Sequence, residues 1–116
     1  MNKSLIVISA IALVACGTSK VASTKNADVE RGALKFPGYT LEEYKAGSTA
    51  NQKFCGGCHA LKNPQDFNEM QLSMIVPKMV KKANRKAGSD VIDPRTQEAI
   101  MKYLITMSTA PGTANK

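Results

Sequence analysis

The chain has 116 residues, with 16 lysines and arginines against 9 aspartates and glutamates, a net charge of +7, and only 5% aromatic residues with no tryptophan. That length bounds it to one domain of the usual ~100–200 residues, and the scarce aromatics exclude a core filled by its own large rings. Below roughly 70–80 ordered residues a fold generally needs a staple such as a disulfide, a metal or a bound prosthetic group.

The amino terminus opens with the basic Met1-Asn2-Lys3 and an apolar run of eleven, Leu5 to Ala15. Such a run is too short for a permanent membrane span but suits the apolar centre of a secretory signal peptide. It ends in LVAC, Leu13 to Cys16, which resembles the lipobox of bacterial lipoproteins. The resemblance implies cleavage before Cys16, a diacylglycerol on its thiol, and residence outside the cytoplasm on a bacterial membrane, on its periplasmic or outer face. Residues 1–15 are then the signal peptide. Their removal takes Lys3 away and leaves 15 basic against 9 acidic side chains. An exported basic chain rarely meets nucleic acid, so acidic proteins and lipid headgroups are the expected partners.

Residues 16–38 are small, polar and charged, without a sustained apolar period, and read as a flexible lipidated tether in which only Val29 to Leu34 offers a short helix. The folded domain is expected over residues 39–108, with residues 109–116 as a flexible tail. Its first helix begins at Thr40, whose hydroxyl and the Glu43 carboxylate form a capping box. Leu41, Tyr44, Gly47 and Phe54 mark its stripe. Gly47 costs helix stability, which points to a close crossing with another helix.

A second helical region is predicted from about Gln65 to Lys86, with Leu72, Ile75, Val76, Met79, Val80 and Ala83 at helical spacing. Pro77 is expected to kink it or to start its second half, and Ala87-Gly88-Ser89 to end it. The third helix opens after Asp93-Pro94, capped by Asp93 or Thr96, with Ala99, Ile100, Tyr103, Leu104 and Met107 on its apolar face. Val91-Ile92 is too short for a strand. The expectation is an all-α fold.

Between the first two helices lies KFCGGCHALKNP, Lys53 to Pro64, which holds two of the three cysteines and the single histidine. A structural zinc site needs a second pair of ligands, and outside this motif only Cys16 is left. A thioredoxin-like pair needs alternating strands and helices. A disulfide across two residues leaves His59 without a role. Covalent haem c accounts for all three side chains: the Cys55 and Cys58 thiols add across two vinyl groups, and His59 presents its imidazole to the iron. With lipid on Cys16, no thiol remains for a disulfide, and haem becomes the missing staple.

A helix carrying Tyr44, Gly47 and Phe54 into C-x-x-C-H, with a terminal helix carrying Tyr103-Leu104, resembles the small single-haem class I cytochromes c over about Thr40 to Met107. The resemblance implies a cytochrome c-like fold of three to four helices wrapped around one covalent haem. It also implies Gly47 crossing at Tyr103 or Leu104, and the Pro64 carbonyl receiving the His59 ring.

One histidine leaves the far side of the iron to another ligand. Met79 shares a face with Leu72, Ile75, Val76 and Ala83, whereas Met74 is in register with Lys78 and Lys81. Met101 lies off its helix's apolar stripe, and Met107 sits near a helix end. The segment MIVPKMVKKA also resembles the V-x-x-M stretch of small cytochromes c, so Met79 is the expected sixth ligand. Lys78, Lys81, Lys82, Arg85 and Lys86 put five cations into nine residues with no acid among them. They are expected to ring the exposed haem edge and to dock an acidic redox partner such as a terminal oxidase or a dehydrogenase. The functional expectation is a lipid-anchored electron carrier, not an enzyme. The alternatives are an open-site haem protein handling peroxide or a gas, and an electron-entry subunit of a larger dehydrogenase.

Overall fold

The structure is a computed structural model that describes residues 18–111, with side chains from Lys25 onward. Among these residues it is entirely helical. Its α-helices are α1 (Thr18–Lys35), α2 (Leu41–Ala50), α3 (Glu69–Ala87) and α4 (Pro94–Ser108). A π-helical turn, Asn51–Cys55, extends α2, and a 3₁₀ turn, Pro64–Asp66, precedes α3. The signal segment and Cys16 lie outside the described residues.

Local chemistry sets most of the boundaries. The Thr40 hydroxyl accepts from the Glu43 N–H at 3.2 Å, and the Thr40 N–H donates to the Glu43 carboxylate at 3.0 Å, the expected reciprocal cap. Asn68 and Gln71 form an equivalent box for α3, with both bonds at 2.9 Å. It starts the helix at Glu69 and not at Gln65, where the chain makes only the 3₁₀ turn. Asp93 is the cap of α4 and accepts from the Thr96 N–H at 2.7 Å, with Pro94 in the first turn. Gly88 ends α3 with φ of 71°, a left-handed conformation suited to glycine. Pro77 interrupts nothing: α3 runs through it as one helix, and its exposed side of the helix lets water satisfy the backbone group left unpaired.

α2 and α4 cross at Gly47. A Cβ placed there would lie 2.6 Å from the Tyr103 Cβ and closer still to the Ala99 carbonyl oxygen, so only glycine admits this approach. Tyr44 and Tyr103 meet edge to face beside the crossing, with centroids 5.3 Å apart. α3 packs across α4 through Val76, Val80, Ile92 and Ile100, flanked by Ala50, Phe54, Ala83, Met101 and Leu104. Ile92 belongs to no regular element. The Asn84 side chain holds it by accepting from its N–H at 2.9 Å and donating to its carbonyl at 3.0 Å.

The expected tether is corrected over residues 18–35. This segment is helical, and from Asp28 onward it is packed against α2 and α4. Asp28 is 6% exposed, pairs with Arg31 at 2.7 Å and accepts from the Tyr44 hydroxyl at 3.3 Å. The Arg31 guanidinium donates onward to the Thr106 carbonyl at 3.0 Å and to the Thr109 hydroxyl at 3.3 Å. Gly32 is buried where a Cβ would fall within 2.7 Å of the Tyr39 ring and the Thr106 hydroxyl. A polar, long-range lock of this kind leaves no apolar period for sequence to display. The start of the expected tail is also tied down, since the Ala110 carbonyl accepts from the Gln65 side chain at 2.9 Å.

Candidate functional site

A cavity of about 390 Å³ opens between α3, the end of α4 and the segment that carries the cysteines. That is within the usual ~300–1,000 Å³ of small-molecule sites. Its floor is apolar, built from Phe54, Leu72, Ile75, Val76, Val80 and Leu104.

The π-helical turn delivers the motif to this wall. The Gly56 N–H reaches back five residues to the Asn51 carbonyl at 3.3 Å, widening the last turn of the helix. Single π turns frequently occur at functional sites, because they rotate the following side chains relative to an α-helix. Here Phe54, Cys55, Cys58 and His59 all line the cavity. Both thiols are free. Burial, with a smaller contribution from neighbouring Cys58, pushes the Cys55 thiol above its ordinary value. A thioredoxin-type nucleophile needs the opposite shift.

His59 Nδ1 lies 2.8 Å from the Ala60 carbonyl oxygen. A carbonyl only accepts, so Nδ1 is the donor of this contact, and in the neutral ring the lone pair is on Nε2. This corrects the expected partner of the ring. The Pro64 carbonyl is engaged by the Phe67 N–H at 3.1 Å, and the residue next to the histidine takes the role instead. Pro64 itself lines the cavity.

The methionines separate clearly. Met79 lines the cavity and is 37% exposed, whereas Met70 and Met74, at 75% and 57%, face solvent on the same helix. Met101 packs against the α3–α4 core. The Met107 sulfur accepts from the Tyr44 hydroxyl at 3.7 Å. Of the described methionines, Met79 alone borders the cavity.

The five cations of α3 are all exposed, and none forms an ion pair among the described residues. They do not make one ring around the cavity. Lys82 and Lys86 line it, and the Lys86 ammonium lies 3.8 Å from the Cys58 sulfur. Lys81 and Arg85 line a separate groove with Pro77, Asn84 and Asp90, and Lys78 borders neither hollow. Lys62, absent from the expected set, joins Lys82 and Lys86 at the cavity. Asn51, Leu61, Phe67 and Ile92 are further cavity residues that sequence reasoning missed, and no motif flags them.

Among the described residues, no three His, Cys, Asp or Glu side chains gather closely enough to hold a metal ion by themselves. No helix among them is long and apolar enough to cross a membrane. No family model, curated protein or solved structure matches the chain.

Proposed function

We propose that the chain is a monohaem c-type cytochrome with a cytochrome c-like fold, tethered to a bacterial membrane through lipid on Cys16, which passes single electrons between redox proteins outside the cytoplasm. One observation carries this reading: the apolar cavity is bordered at once by Cys55, Cys58, His59 and Met79. Two thiols, an imidazole and a thioether are the donor set that covalent haem c requires, and they share a single hollow.

When bound, haem supplies a one-electron couple, and histidine–methionine ligation sets that couple at a relatively high potential. The protein's part is attachment, orientation and exclusion of water. Cys55 and Cys58 would hold the group, each by adding its S–H across a vinyl double bond with no by-product. The Ala60 carbonyl holds the proton on His59 Nδ1, fixing the tautomer that offers Nε2 as a ligand and raising its basicity. Leu72, Ile75, Val76 and Val80 keep the interior apolar. Lys62, Lys82 and Lys86 give the rim a positive potential that attracts an acidic partner.

The test is optical. Oxidised wild-type protein is expected to show covalent haem by mass and the far-red band of sulfur-to-iron coordination. Met79→Ala abolishes the band and lowers the reduction potential, while Met74→Ala leaves both unchanged. A band that survives in the Met79 variant removes Met79 as ligand. A wild-type spectrum lacking the band moves the protein to the open-site class that handles peroxide or a gas.

A further inference from the structure

The helix found in place of a tether is fastened at one end to the domain and leads at the other toward the anchor. We propose that α1 is a rigid strut that limits how far the cavity can stand from the membrane, and so confines the redox partners of this chain to proteins resident in that same membrane. The proposal rests on the anchored-carrier reading above.

The fastening is specific. Asp28 and Arg31 project from one turn of α1 into a polar seam, where they meet the Tyr44 hydroxyl, the Thr106 carbonyl and the Thr109 hydroxyl. One turn further, Gly32 lets the helix lie against Tyr39 and Thr106 with no room for a methyl group. The Lys35 ammonium pairs with Glu69 at the start of α3. The Lys102 ammonium lies 5.9 Å from the centroid of Phe36, which follows the helix. These contacts reach three different helices, so α1 cannot pivot at Asp28 without breaking several at once.

Toward the other end, Lys25, Asn26 and Ala27 are exposed. No glycine or proline occurs between Thr18 and Arg31 to act as a hinge. Ten residues alone would make a marginal helix, because nucleation is the costly step. Here the docked turns provide the nucleus, and propagation back to Thr18 adds one hydrogen bond per residue. Thr18 stands two positions after Cys16.

The lengths decide the consequence. As a helix, the ten residues before Asp28 span about 15 Å. As a loose chain they would extend to as much as ~35 Å and sweep every heading within it. A strut of the shorter length forbids capture of partners far from the surface. It also leaves the cavity free. Thr106, which receives α1, and Leu104, which lines the cavity, are two positions apart on α4, about 200° round the helix.

The test uses the full lipidated chain with haem attached, in vesicles of phosphatidylethanolamine and phosphatidylglycerol carrying a headgroup fluorophore. Energy transfer to the haem reads its height. A seven-residue helical insertion after Ala27 lifts the domain by about 10 Å and turns it by only about 20°. We expect this insertion to reduce the transfer sharply and to slow haem re-oxidation by native membranes at least tenfold. Reaction with a small soluble dye should not change, and a Gly-Ser insertion of equal length should have a much smaller effect on both. Equal effects of the two insertions, or none from either, overturn the strut. A chain that stays soluble overturns the anchor, and the strut with it. Absence of haem removes the carrier reading but not the strut, whose height is then read from a fluorophore at Ser89→Cys in a chain that also carries Cys55→Ala and Cys58→Ala.

Discussion

The two faces of α4 are built in opposite ways. Toward α1 and α2 the chain completes itself: Gly47 brings two helices into contact, Gly32 admits the Tyr39 ring and the Thr106 hydroxyl, two tyrosines meet edge to face, and Asp28, Arg31 and Thr106 interlock. Toward α3 the packing is divided: Val76, Val80 and Ile100 meet in a buried core, and beside it opens an apolar hollow of about 390 Å³. The closed face is therefore a scaffold held by the chain's own side chains, and the open face adds an apolar lining that a bound group would cover.

The largest test strikes the closed face. Gly47→Val places its branch against the Ala99 carbonyl and the Tyr103 Cβ, where backbone and not a movable side-chain end must yield. Overpacking costs about 1–3 kcal/mol, and a clash with backbone falls at the upper end of that range. The melting temperature is expected to fall by at least ~10 °C, whether or not haem is attached. A variant that melts with the wild type would mean that the crossing is looser than the structure has it.

Loss of the proposed haem should divide the faces instead of weakening both. In the full chain carrying Cys55→Ala and Cys58→Ala, amides of α3 and of residues 56–67 are expected to exchange at least about tenfold faster than in the haem-loaded protein. Those of α2, α4 and residues 28–35 should change little. Uniform acceleration would erase the distinction between scaffold and open face.

The closed face also has an alkaline limit. Burial pushes Tyr39 up to about 12, and burial with the neighbouring Asp28 carboxylate pushes Tyr44 up to about 12, both from 10.0. The folded state thus holds these protons where the unfolded chain releases them. The stability they contribute is complete below pH 10 and is lost as pH rises from 10 toward about 12. Alkaline unfolding monitored by circular dichroism should begin in that window, and Tyr44→Phe should flatten its slope. An unchanged slope would detach Tyr44 from the effect.

What sequence disclosed cuts across this division. The Thr40 and Asp93 caps, the Gly47 crossing and the apolar phase of Met79 are local or periodic signals, and they were legible. Docking of α1 was not, because Arg31 meets Thr106 across 75 positions through hydrogen bonds that leave no hydrophobic period. The π-helical turn was hidden for a related reason: Asn51 to Cys55 has ordinary helix composition, and only the bond from Gly56 to Asn51 reveals the extra width. The cationic segment was legible as a run, but not in its division. A helical face spreads residues 78–86 over a wide arc, and where that arc is cut depends on α4 and the loop before it.

That division yields the smallest and most discriminating prediction. Lys82 and Lys86 border the cavity, while Lys81 and Arg85 border the groove behind it. All four are exposed and unpaired, so a solvated surface would treat them alike. A docking rim would not, because a charge beside the electron-exchanging edge acts both on encounter and on the orientation of the encounter complex, while one behind it acts only through the long-range field. Lys82→Glu with Lys86→Glu is expected to slow second-order electron transfer to the acidic acceptor about tenfold at low salt. Lys81→Glu with Arg85→Glu carries the same change in net charge and should slow it much less. The difference should shrink as ionic strength approaches 0.15 M, where the screening length is about 8 Å. Equal slowing by the two pairs would mean that net charge alone steers the protein. No slowing by either would return the whole run to the role of a soluble helix face.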